Sequence, residues 1–242
     1  MILQKIAQAI RQQDWFQVTI EIIIVVIGIF LGLQVTEWSD RRSQEENTKV
    51  LAQSIIDDLE ADVVALETSI NYSRNKIDTI DRFSVLLRTP RAGWDSIEFY
   101  DGANTVASLI PYSYTDGTYQ QLRASGTLQY FDQLLVNKMN AYDNQIKKTI
   151  VRKNITDERV VQFANLMTTI INFDAILAIR GNQSTSAEYY IKLHDPGLIE
   201  NYLNQVLFIR VVTGLSLEQY ESQMDIAQSL MEEIKQKYDL TL

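Results

Sequence analysis

The sequence predicts an all-α protein in which an N-terminal transmembrane helix continues into an elongated antiparallel bundle of long helices with coiled-coil-like seams. Three observations predict it. Only 3 Pro and 9 Gly occur in 242 residues, too little punctuation for a turn-rich β architecture. One apolar run near the start, Val18 to Val35, carries Thr19, Glu21 and Gln34 as its only clearly polar side chains. Beyond it, apolar residues recur at alternating spacings of three and four, the period of helices packed along one stripe.

Composition bounds the function classes. The apolar share is 46% and the formal net charge is -9. Residues 50–242 keep 17 basic and 25 acidic side chains, a balance of -8. Phosphate backbones repel such a surface, so nucleic acid is not an expected partner. The absence of cysteine removes disulfides, thiolate metal sites and cysteine nucleophiles together.

Residues 1–14 come first. Ile2, Leu3, Ile6, Ala9 and Ile10 fall at helical spacing, with Gln4, Lys5, Gln8, Arg11 and Gln12 elsewhere, a pattern that fits an amphipathic helix lying in a membrane interface. The transmembrane helix is placed at 15–38. Its apolar core of about 18 residues spans roughly 27 Å at 1.5 Å per residue, close to a hydrocarbon thickness of about 30 Å. Trp15 and Trp38 bracket it as interface anchors. A cleaved signal peptide would have a shorter core and small residues at its exit, where this chain has Gln34-Val35-Thr36-Glu37-Trp38.

Glu21 and the pair Gly28 and Gly32 are the candidate contact residues within the span. A carboxylate in a span is a functional candidate because charge is costly there. Glu21, six residues after Trp15, is placed near the headgroups. Gly28 and Gly32 lie on one face and let a second helix approach closely. Copies packed there would bring several Glu21 side chains together.

Residues 39–242 form the extramembrane domain. No Gly or Pro occurs between Gly32 and Pro90, and Ala52, Ile56, Leu59, Val63, Leu66, Ile70, Ile77, Ile80 and Leu87 trace a seam, with Ser73 and Ser84 filling gaps and a break expected near Ser39-Asp40. The segment 90–117 is irregular and aromatic-rich, with a short helix around Ser96 to Leu109. Trp94, Tyr112, Tyr114 and Tyr119 are its candidate ligand surface. Asp116 is placed as the cap of a helix ending at Gly126. Phe131, Leu135, Met139, Tyr142, Ile146 and Ile150 mark the next helix, whose patch Arg152 to Arg159 reads as a solvated turn or a break. Gly181 and Asn182-Gln183-Ser184 end it. Asp195-Pro196 starts the last region, Gly214 interrupts it, and Ser216-Leu217-Glu218-Gln219 reads as a capping box opening a final helix.

The stretches "EIIIVVIGIFLGLQVTEWSDRR" and "TYQQLRASGTLQYFDQLLVNKMNAYDNQI" together resemble a family of uncharacterised bacterial single-pass membrane-anchored helical proteins. The resemblance implies bacterial membrane placement and no activity for any residue.

Catalytic motifs are missing from the sequence: no Walker A loop, no GxSxG and no HExxH. His194 is the sole histidine, in a turn beside Asp195-Pro196. No cofactor and no metal is expected, nor an enzyme. The leading expectation is a non-enzymatic, membrane-anchored protein of a bacterial inner membrane, its C-terminal domain periplasmic, that self-associates or serves as an accessory subunit or scaffold for another membrane protein. Its partners are then the lipid bilayer, further copies and another membrane protein. A sensory or ligand-binding bundle using the aromatic segment, and an oligomeric ion or proton pathway with Glu21 at its mouth, are the alternatives.

Overall fold

The structure is a computed structural model that describes residues 15–172 and 196–240. The expected interfacial helix 1–14, the stop at Gly181 to Ser184, His194 and Asp195 lie outside the described residues. Five α-helices and no strands form among those described: α1 (Trp15–Arg88), α2 (Ser96–Val106), α3 (Gly117–Ser125), α4 (Gln133–Ile170) and α5 (Pro196–Tyr238). The chain divides into two compact units, Met1–Leu51 and Ala52–Leu242.

Helix α1 has 74 residues and no break at Ser39-Asp40. That region lacks helix breakers and carries one-turn charge pairs, Glu37 with Arg41 at 3.6 Å and Arg42 with Glu46 at 3.4 Å, which support a helix locally.

In the second unit the buried positions of α1 include Ala52, Ile55, Leu59, Asp62, Leu66, Ser69, Ser73, Lys76, Ile80, Phe83 and Leu87, in alternating steps of three and four. The expected seam shares Ala52, Leu59, Leu66, Ser73, Ile80 and Leu87 with this series, and its Ile56, Ile70 and Ser84 are buried beside it. It has Val63 and Ile77 where the structure buries Asp62 and Lys76, and leaves Val63 and Ile77 half-buried. The buried face is wider than a two-column seam, as a core-facing helix requires, and one of its columns is polar.

Helix α2 starts where Asp95 accepts the backbone N–H groups of Ile97 and Glu98, both at 2.9 Å, a side-chain cap for otherwise unpaired donors. It ends at Val106, short of the expected Leu109. Gly102 permits its close approach to α1: a Cβ there would stand 2.3 Å from Phe83 Cδ2. Asp116 precedes α3 but makes no side-chain cap bond; it accepts instead from Gln120 Nε2 at 3.1 Å. Gly126 stops α3 with φ 72°, a left-handed conformation that suits glycine.

Asp132 caps α4 by accepting from the N–H groups of Leu134 and Leu135. The patch Arg152 to Arg159 is part of this helix, because Thr156 turns inward against Ser216 while Lys153 pairs with Asp157 one turn on. Helix α5 begins at Pro196 and runs unbroken through Gly214 and Ser216. An interior glycine costs a helix only about 1 kcal/mol. The Ser216 hydroxyl is buried against Thr156 at 2.9 Å, so it is a core contact rather than a cap.

Partners link α1 and α5 at Glu60–Lys235, Arg74–Glu221 and Asp81–Arg210. They link α4 and α5 at Lys138–Glu233, Gln145–Gln219 and Thr156–Ser216. An apolar cluster gathers Ile80, Phe83, Trp94, Phe99, Val160, Phe163, Tyr202 and Val206, among others. Its rings meet edge to face or stacked, with Phe163 and Tyr202 5.1 Å apart and Phe83 and Phe99 5.4 Å apart.

Candidate functional site

Two features stand out, one in each unit. In the first, the apolar run of α1 is uncovered. Ile22, Ile23, Ile24, Val25, Val26, Ile27, Ile29, Phe30, Leu31, Leu33 and Val35 are each half or more exposed. Covering these eleven side chains is worth roughly 15–30 kcal/mol at about 1.5–3 kcal/mol each. That exceeds the whole stability of an ordinary domain, about 5–15 kcal/mol. The helix is long and apolar enough to cross a membrane. Gly28 and Gly32 lie on it with no atom within 4 Å of an added Cβ, and Glu21 is exposed. Trp38 is exposed, its ring 5.8 Å from the Arg42 guanidinium carbon. Trp15 opens the helix, and its side chain lies outside the described residues.

The second feature is a strap, residues 107–116, which has no helix of its own and is pinned to α1. A segment without secondary structure must find partners for its backbone groups elsewhere. The polar column of α1 supplies them. Lys76 Nζ donates to the carbonyls of Val106, at 3.0 Å, and Ser108. Ser69 Oγ donates to the Pro111 carbonyl at 2.6 Å. The Asp62 carboxylate accepts from the Thr115 N–H, and that of Asp58 from the Thr118 N–H at 3.0 Å. The cation thus holds carbonyls where α2 runs into the strap, and the anions hold amides where the strap runs into α3.

Asp62 also anchors a buried chain of hydrogen bonds across the second unit. Tyr142 OH donates to Asp62 Oδ2 at 2.5 Å, Gln223 Nε2 donates to Tyr142 OH at 3.4 Å, and Tyr112 OH donates to Gln223 Oε1 at 2.9 Å. One side chain each from α1, α4, α5 and the strap therefore shares one polar layer. Burial raises the Asp62 pKa, offset in part by the bonds from Tyr142 and Thr115. Burial raises Tyr112 and Tyr142 as well. Lys76, only 1% exposed, is pulled down to about 8 by burial, with Asp157 opposing the shift.

Beside this layer a cavity of about 30 Å³ is lined by Asp58, Asp116, Tyr119, Tyr142 and Asp143, among others. Such a volume accommodates one or two water molecules. Gln120 and Lys147 hold Asp143, at 3.1 and 2.6 Å. Among the described residues no group of three or more His, Asp or Glu side chains is placed to hold a metal ion.

The candidate aromatic surface is distributed between interior and exterior. Trp94 is buried, stacks on Phe99 at 5.5 Å and donates from Nε1 to the Thr89 carbonyl. Tyr112 stacks on Tyr220 at 5.4 Å, and Tyr119 is buried with its hydroxyl on Asn140. Tyr114 is the exposed member, 6.0 Å from Tyr112. Sequence reasoning missed Asp62, Lys76 and Gln223. Their signal was position alone: each continues a three-four series that apolar residues begin and end.

Architecture and site define an all-helical protein with one uncovered apolar helix and a buried polar layer. The chain belongs to DUF6090, a family of unknown function, whose match covers residues 21–183 and so includes the apolar run, the strap and most of the polar layer. No curated protein and no solved structure matches the chain.

Proposed function

We propose that the protein is a non-enzymatic, single-pass protein of a bacterial inner membrane, whose helical domain mediates self-association or acts as a scaffold for another membrane protein. The observation that carries this reading is the uncovered apolar run Ile22 to Val35, which lies in a helix long and apolar enough to cross a membrane. The domain after it is taken to lie on the periplasmic side. We read that domain as an elongated antiparallel bundle with coiled-coil seams. Supporting this, the partners of Glu60, Arg74 and Asp81 descend along α5, from Lys235 through Glu221 to Arg210. The regular three-four spacing of buried positions on α1, α4 and α5 also supports it.

The reading makes the buried polar layer a device of architecture. Its groups are engaged with backbone and with each other, an arrangement that fixes one register among long, similar helices. Alkaline carbonate extraction of membranes tests the anchor. The full chain is expected in the pellet, and a variant with Ile24, Ile27 and Leu31 changed to Asp is expected in the supernatant. A wild-type chain released by carbonate would sink the proposal. The oligomer is read from native mass measurement in detergent.

A further inference from the structure

We propose that Asp62 is a proton-binding site whose occupancy is passed to the strap, because the chain Asp62–Tyr142–Gln223–Tyr112 reverses the direction of its hydrogen bonds when the proton arrives. The inference goes beyond the anchor and scaffold reading and does not depend on it.

The chain is built only from groups that both donate and accept: a carboxyl, the hydroxyls of Tyr142 and Tyr112, and a carboxamide. With Asp62 ionised, every donor in it points toward the carboxylate. A proton added at Asp62 Oδ2 donates to the Tyr142 oxygen, while Oδ1 keeps the Thr115 N–H. The Tyr142 proton then turns to Gln223, whose amide rotates to present Oε1 to Tyr142 and Nε2 to Tyr112. The Tyr112 proton turns in its place to Thr149, the other hydrogen-bond neighbour of that hydroxyl. Thr149 Oγ1 can accept there, since its own proton goes to the Gln145 carbonyl at 3.0 Å. The balance is one proton taken from solvent; the rest are rotations, and no buried group loses its partner.

The surroundings favour the proton. Asp62 is buried, and α1 sets Asp58 beside it, the strap and α3 set Tyr112 and Asp116, α4 sets Tyr142, and α5 sets the neutral Gln223. The cavity bordering Tyr142 adds Tyr119 and Asp143, and the cations there, Lys147 and Arg123, stand on Asp143 at 2.6 and 3.9 Å. Burial raises the Asp62 pKa most and Asp58 and Asp116 add to it, against the bonds from Tyr142 and Thr115. The same cavity has room for a water to deliver the proton. A raised carboxyl pKa means that the folded chain holds this proton more tightly than the unfolded one. Stability from this group is therefore full below the ordinary value of 3.8 and is lost as pH rises through the folded value.

The full-length chain in detergent is taken from about pH 8 to about pH 4, across the range in which carboxyls titrate, and followed by infrared difference spectroscopy. A carboxyl C=O band is expected that Asp62→Asn lacks; that variant is a reference and not a mimic, because its second N–H finds no acceptor in the chain. Thr149→Val and Gln223→Leu alter residues that share no hydrogen bond with Asp62, yet each leaves the reversed chain with an unpaired O–H. Each is expected to move the midpoint of the band down by about one to two pH units, a ten- to hundredfold loss of proton affinity. Thr149→Ser keeps the hydroxyl and is expected to keep the midpoint, and circular dichroism checks the fold of every variant. Urea unfolding gives a second reading: the folded-to-unfolded ratio of the wild type relative to Asp62→Asn is expected to fall as pH rises, by about tenfold for each pH unit between the unfolded and folded pKa. No Asp62 band, or a ratio that does not change with pH, overturns the proton site. A midpoint that stays at its wild-type value in either folded variant overturns the reversal.

Discussion

Replacing Lys76 by Met makes the stability of the helical domain respond to pH in a way that the wild type alone cannot reveal. The Lys76 ammonium is buried and bonded to two carbonyls, Val106 and Ser108, with its pKa lowered by burial from 10.5 to about 8. A lowered lysine pKa means that the folded chain releases this proton at a lower pH than the unfolded chain. Between about pH 8 and 10 the unfolded state therefore binds more protons, and stability rises with pH. At about 1.4 kcal/mol per pK unit, the gain from this one group by pH 10 is on the order of 2–3 kcal/mol. At pH 7, Lys76→Met removes a costly buried charge worth about 3 kcal/mol. It also removes two hydrogen bonds from a charged donor, about 1.5–3 kcal/mol each, so its net cost is small, roughly 0–3 kcal/mol. Urea unfolding of the detergent-solubilised full chain, followed by far-UV circular dichroism at pH 7 and pH 10, measures both proteins. The difference between them is expected to widen by about 2–3 kcal/mol at the higher pH, while every other titration cancels. A difference independent of pH would refute the reasoning, because it would mean that Lys76 titrates alike in folded and unfolded chains.

Above pH 10 the wild-type curve is expected to turn down, since burial raises the pKa of Tyr112, Tyr142, Tyr202 and Tyr220. Their unfolded counterparts ionise first, so stability is lost as pH rises; a curve still rising at pH 11 would contradict this. Asp62→Asn is expected to destabilise by about 1–3 kcal/mol, because the new amide group meets the Thr115 N–H or the Tyr142 hydroxyl, both of which donate to Asp62. Thermal unfolding reads the loss, and an unchanged midpoint would show that the layer is not buried. Gly102→Ala is expected to destabilise by up to about 2 kcal/mol, as overpacking against Phe83 at about 1–3 kcal/mol is offset only in part by the roughly 1 kcal/mol that alanine gains in a helix. A stabilised variant would place Phe83 elsewhere.

The parts of the fold legible in the sequence are those set by strong local signals. Asp95-Ser96 and Pro196 sit at helix starts, Gly126 at a stop, and the apolar run at the uncovered segment, because each of these depends on residues within one or two turns. The errors share one cause. At Asp62, Lys76, Ser216 and Gln223 a long-range partner decided the position: an extended strap for the first two, facing helices for the others. Reading apolar periodicity alone assigned the column to Val63 and Ile77, one residue away. Gly214 was misread for a related reason, since the tertiary contacts on both sides of it hold the helix through a weak position.

The polar column also explains why the strap can exist without a helix. A helical segment laid on α1 would satisfy its own backbone and ask only for apolar cover. The strap at 107–116 contains Pro111 and runs outside any helix, so it presents free carbonyls and amides to α1 along its length. Apolar residues at positions 62, 69 and 76 would remove these directed partners and leave the groups to solvent or unpaired. Aspartate, serine and lysine at those three positions turn the same contact into a set of directed bonds. Because the carbonyl-holding lysine and the amide-holding aspartates stand at opposite ends, reversing the strap would set a cation against N–H groups and anions against carbonyls. The column therefore fixes both the place and the direction of the strap, which apolar burial, being non-directional, could not do.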